Sequence, residues 1–169
     1  METIAAIMQR RSIRSYLARA IPEEDLNTIL EAGRQAPSAA NRQPWHFVVV
    51  REEGQKKRLA EACSGQSWMA EADAIIAGLG KPAVNEKWYP VDVAIALENM
   101  IVAATALGYG TCWVGAFDEG MVKSVLGVPD DVRVVARTPV GAPADKPERR
   151  PRMPVAEFAS RDRYGERWS

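Results

Sequence analysis

The chain has 169 residues, with 22 lysines and arginines balanced by 22 acids, for a formal net charge of zero. That length fits one domain with a core of its own, or one subunit of a dimer. The balance, with an isoelectric point near 6.6, argues against nucleic acid as a partner, because no broad basic footprint is present.

Residues 2–10 read as a short amphipathic helix with Ile4, Ile7 and Met8 on one face. Met1-Glu2-Thr3-Ile4 lacks the charged start and apolar run of a secretory signal. The cluster Arg10-Arg11-Ser12-Ile13-Arg14 follows at the end of the helix. Pro22-Glu23-Glu24-Asp25 opens a second helix, with proline in the first turn and acids at the positive end of the dipole. Leu26, Ile29, Leu30 and Gly33 supply its buried stripe, and it stops before Pro37. A polar loop from Pro37 to Pro44 leads into the β-prone strand Trp45–Val50. The one histidine, His46, lies at the start of that strand and reads as structural. A helix over 55–63 and a buried strand over 74–79 come next.

Residues 91–107 are apolar around most of a helix circumference and are interrupted by Asp92, Glu98 and Asn99. This pattern predicts a core helix rather than a membrane span. Gly108-Tyr109-Gly110 ends it, and residues 111–117 read as a third strand. Asp118 is positioned to cap a helix running through Leu126, and Val132–Ala136 begins a fourth strand. Beyond Pro139 the chain turns rich in proline and arginine, including Arg149-Arg150-Pro151-Arg152. Residues 1–169 are therefore read as a single domain, with 144–169 as an extended tail packing on a partner subunit.

Arginine presents a planar fork of donors that suits phosphate oxygens, and Ser12 adds a hydroxyl. If folding joins the two arginine clusters, they form an anion clamp sized for one phosphate monoester. No other phosphate motif competes. Gly108-Tyr-Gly110 runs from helix into strand and lacks the third glycine of a dinucleotide fingerprint, and Gly78-Leu-Gly80-Lys81 fails the spacing of a P-loop. There is no Gly-x-Ser-x-Gly, and Cys63 and Cys112 make neither a metal site nor a disulfide framework, which points to a reducing, cytoplasmic setting. A phosphate clamp without catalytic side chains implies that a bound cofactor carries the chemistry.

The segments Arg10–Tyr16 and Ala36–Trp45 together resemble the N-terminal signature of the FMN-dependent nitroreductase family, in its short form. Asp92–Met100, then Leu107–Phe117, look like that family's central helix and the strand after it; Pro139–Pro143 and Arg150-Pro-Arg152 look like its closing strand and second phosphate contact. The resemblance implies an α+β fold with a mixed central sheet surrounded by helices, in an interwoven homodimer with FMN at each interface. By the same resemblance Arg10, Ser12, Arg150 and Arg152 hold the FMN phosphate, with Arg11 and Ser12 near the ribityl chain. Arg14 approaches the N1/O2 edge, where a cation favours the negative charge of reduced flavin. Trp113, Val114, Gly115 and Ala116 line the ring near N5, with the Gly115 N–H bonded to it. Pro37, Ser38, Ala39 and Asn41 pack on the flavin from the other subunit.

Two departures from the family pattern stand out. Ala142 follows Gly141 where many members have tyrosine, which opens space near the interface. The stretch from Gly80 to Val91 is short, leaving Lys81, Trp88 and Tyr89 as the substrate rim of a shallow pocket. The implied function is an FMN-dependent NAD(P)H oxidoreductase that reduces nitroaromatics, quinones or other flat acceptors by a ping-pong hydride transfer. A non-catalytic FMN-binding protein for storage or sensing shares every phosphate contact and stays open at this point. No metal and no membrane partner is expected.

Overall fold

The computed structural model describes residues 2–168. Its centre is the strand β2 (Ala74–Gly80), in which every residue is buried. It pairs antiparallel with β1 (Trp45–Val50) on one side and with β4 (Arg133–Gly141) on the other; β3 (Gly110–Thr111) closes the order β1-β2-β4-β3. Apolar β-branched runs are suited to a sheet covered on both faces.

One face carries α2 (Glu23–Arg34) and the long helix α4 (Tyr89–Ala106), which meet Ile76, Ala136 and Val140. The other carries α3 (Glu53–Glu61) and α5 (Glu119–Leu126), packed on Ile75, Leu79 and Val134. α4 is long and apolar enough to cross a membrane by length and composition, yet seven of its residues are buried inside the fold. Its close approach to α2 is set at Gly33, where a Cβ would lie 2.1 Å from Met100 Cε. Two short helices flank this body, α1 (Thr3–Gln9) and α6 (Val155–Phe158).

Four expectations change. Among the described residues the four strands pair only antiparallel, so the sheet is not mixed; the parallel element is the single bridge between Ser12 and Thr111. The third strand is two residues long rather than 111–117. Beyond it only Val114 pairs, with Arg137, and the Trp113–Phe117 segment otherwise turns off the sheet. The apolar face of α1 points outward, with Ile4 72% exposed and Ile7 and Met8 half-exposed, while Ala6 is the buried residue. Ala142 is itself buried and its carbonyl accepts from the Leu17 N–H, so it opens no space within one chain.

Candidate functional site

The N-terminal segment after α1 runs beside β3 and the continuation of the chain beyond β4. The Ile13 N–H donates to Thr111 O, the Leu17 N–H to Ala142 O, and the Ala144 N–H to Ser15 O. This lacing holds residues 12–17 beside the chain as it leaves β4, and so brings residues 147–152 back to residues 7–14. The side chain of Ile13 secures the pairing: it packs so close to Gly110 that a Cβ there would meet it at 2.7 Å. The result is a groove of about 450 Å³ lined by Arg10, Arg11, Ser12 and Arg14 from one end of the chain and Arg149, Arg150 and Arg152 from the other. The clamp expected of the two clusters is a feature of the single chain.

Its arginines are not equivalent. Arg11 turns back on α1, where one terminal nitrogen donates to the carbonyls of Met8, Gln9 and Arg10 at 2.9–3.1 Å. It thus caps the negative end of a helix, and its buried Nε has no protein acceptor. Arg14 lies over the Trp68 ring at 5.8 Å. Arg152 donates weakly to the carbonyls of Arg150 and Pro151 at 3.3–3.4 Å; the Arg10 charge acts on Glu98 of α4. Arg149 lines the groove as well. Behind the cluster, burial pushes the Cys112 thiol up, opposed by Arg14 and by a hydrogen bond with Ser12. A buried neutral thiol is not a nucleophile here.

The Trp113–Ala116 segment offers a mixed surface. Trp113, Gly115 and Ala116 are exposed, whereas Val114 is buried in the core with Leu79 and Val122, so its side chain faces inward. A Cβ on Gly115 would meet nothing nearer than Trp113 Nε1 at 3.5 Å. The fold itself therefore leaves room for a side chain at this position.

Pro37, Ser38, Ala39 and Asn41 lie elsewhere on the chain and do not line the arginine groove. Their loop is held in an unusual shape, with positive φ at Ala40, Asn41 and Gln43. The Ser38 hydroxyl accepts from the Gln43 N–H at 3.0 Å, and the buried Asp92 of α4 accepts from the Ala39 N–H at 3.2 Å. Asp92 escaped the sequence reading because one acid in an apolar helix looks like a mere interruption. Trp88 borders a second hollow of about 360 Å³ with Ala39, Ala40 and Arg42. Lys81 is exposed nearby with its N–H on Pro44 O, and Tyr89 packs on Gly80, where a Cβ would sit 2.2 Å from its ring.

A model of the nitroreductase family matches residues 7–74 and 65–142. The chain belongs to the nitroreductase family. A relative from Archaeoglobus fulgidus, provisionally described as an NADH dehydrogenase/NAD(P)H nitroreductase, is 37% identical over 152 residues, covering 86% of this chain and 87% of its own. A nitroreductase family protein from Clostridium novyi NT superposes with a TM-score of 0.82 at 32% identity, over 99% of this chain and 97% of that one. The NADPH:FMN oxidoreductase of Vibrio harveyi, solved with NAD+, gives 0.89 at 26% identity, over 97% and 78%. This nitroreductase-family chain thus shares an α+β architecture with flavin oxidoreductases along nearly its whole length.

Proposed function

We propose that this nitroreductase-family protein is a cytoplasmic, FMN-dependent NAD(P)H oxidoreductase that works as a homodimer. The observation that carries the reading is the groove in which both ends of the chain converge arginines on one volume. The donor set fits a phosphate monoester: several guanidinium groups and a hydroxyl, with one acid, Glu148, in the lining and Glu98 acting on Arg10 from α4. Bound FMN would supply the redox chemistry, taking a hydride from NAD(P)H and passing the electrons to an acceptor.

The chain's own residues bind and orient. Arg10, Ser12, Arg150 and Arg152 hold the phosphate, with Arg149 adding positive charge at the rim. Arg14 reaches toward the ring, and the exposed Gly115 backbone offers an N–H with no side chain in the way. Trp113 and Ala116 give an apolar wall that limits water. The loop at 37–41, latched by Asp92, lies apart from the groove within one chain. A second copy supplies it, which accounts for its separation and for the outward apolar residues of α1 and the tail. Lys81, Trp88 and Tyr89 border a shallow entrance suited to flat acceptors, nitroaromatics and quinones among them, with little selectivity.

Light scattering combined with absorbance on a sizing column tests the assembly and the cofactor together. The expected species has twice the 18.6 kDa chain mass and one flavin per chain. A flavin-free species of single-chain mass after incubation with FMN would contradict the reading.

A further inference from the structure

Arg137 is the largest of the fully buried side chains. It stands on β4 beside the Trp113–Phe117 segment: its N–H donates to Val114 O and its carbonyl accepts from the Val114 N–H, at 3.0 and 2.9 Å. Its guanidinium lies 3.9 Å above the Phe117 ring. Neither Nε nor either terminal nitrogen has a protein acceptor within hydrogen-bonding distance. Among the described residues no carboxylate pairs with it. The one titratable group that acts on it is Cys63, whose thiol is held high by burial and already donates to Leu59 O.

Arginine keeps its proton across the working pH range. The fold therefore carries a positive charge in its interior with only an aromatic face against it. Such a charge destabilises a core, and an apolar side chain of similar volume would fill the space without that penalty. Solvent screens the exposed Arg14, whereas nothing screens Arg137. A costly, unpaired charge on the residue paired with Val114, within the segment assigned to the flavin ring, is accounted for if its field acts there.

We propose, resting on the FMN reading above, that Arg137 tunes the flavin electrostatically without touching it. A hydride carries two electrons and one proton, so its arrival from NAD(P)H adds one negative charge at the flavin, and the oxidised nicotinamide departs with one positive charge. The Arg137 field favours the reduced side of that exchange and raises the reduction potential.

The test compares Arg137→Met and Arg137→Lys with the parent in the FMN-loaded protein. The two-electron potential is read against a reference dye under argon, and thermal stability is read on the FMN-free chains. Arg137→Met should shift the oxidised/reduced equilibrium toward oxidised flavin by about tenfold, ~30 mV for this couple. The same variant should be at least as thermally stable as the parent and should bind oxidised FMN within about threefold of it, since no phosphate contact is lost. Arg137→Lys should retain the potential at low pH and lose it as pH rises, because burial without an acceptor lowers the pKa of an ammonium, a pH dependence that a purely structural side chain would not give. A purely structural arginine would give the opposite pattern: lower stability in Arg137→Met and an unmoved potential, which overturns the proposal. If Arg137→Met does not fold, Arg137→Gln is read in its place by the same criteria. Failure of the parent to take up FMN overturns this proposal together with the functional reading. Uptake with an unmoved potential overturns this proposal alone.

Discussion

At the scale of single residues, the arginines of the groove divide by what their donors already do. Arg11 is committed to the last carbonyls of α1, so its loss should weaken the helix end more than the phosphate contact. Arg10 and Arg152 are less committed: the first acts on Glu98 only through its charge, and the second has two weak backbone contacts. A charge-assisted hydrogen bond contributes roughly 1.5–3 kcal/mol. Arg10→Ala and Arg152→Ala should therefore each weaken FMN binding by about ten- to a hundredfold in a fluorescence titration, and Arg11→Ala by less. Equal losses at all three positions would contradict this division. The clusters themselves were legible in the sequence, because six arginines within two short runs are conspicuous in a chain of zero net charge. Which arginine turns back on its own helix was not, since that depends on backbone geometry. Arg137 was invisible for a simpler reason: a charged residue in a strand is ordinarily read as facing solvent.

At the scale of elements, the longest and most apolar segments were the most readable. β1, β2 and α4 are set by runs of residues that have few alternatives to burial. The 111–117 run misled because it is equally β-prone, yet exposed Trp113, Gly115 and Ala116 leave the sheet there. The outward face of α1 was likewise unreadable, because a partner and a core attract the same side chains.

One latch between elements carries a pH dependence. Glu119 of α5 accepts from Arg133 at 2.8–2.9 Å and from the Val134 N–H at 2.9 Å, fixing the start of β4. The Arg133 hydrogen bond holds the Glu119 carboxyl well below the usual 4.5, at about 2, against the opposing effect of partial burial. A carboxylate depressed on folding stabilises above its unfolded pKa and loses that contribution as pH falls toward the folded value. After allowance for solvent screening of the half-exposed Arg133, the latch contributes about 1 kcal/mol at neutral pH. Glu119→Gln should lower the melting temperature by about 3 °C at pH 7, with the gap closing between pH 4.5 and 2. A gap independent of pH would contradict the assignment.

At the scale of the whole molecule, the surface is incomplete as one chain. Ile4 and Ile7 of α1 and Met153, Val155 and Phe158 of the tail are all at least half exposed, more apolar surface than an isolated chain usually displays. In the proposed homodimer a second copy would cover these residues and bring the 37–41 loop to the arginine groove, so on that proposal dimer and cofactor site stand or fall together. Ile7→Asp should yield a species of single-chain mass that has also lost its flavin. A monomer that keeps full FMN affinity would show the site to be complete in one chain.

The central claim, a flavin held by the arginine groove and reduced by a nicotinamide, is tested most directly by one spectrum. The purified, FMN-equilibrated protein is titrated under argon with NADH and, separately, with NADPH. The flavin absorbance should bleach with at least one of them and return when a quinone or nitroaromatic is added. A bound flavin that neither donor bleaches would contradict it and favour a protein that stores or senses FMN.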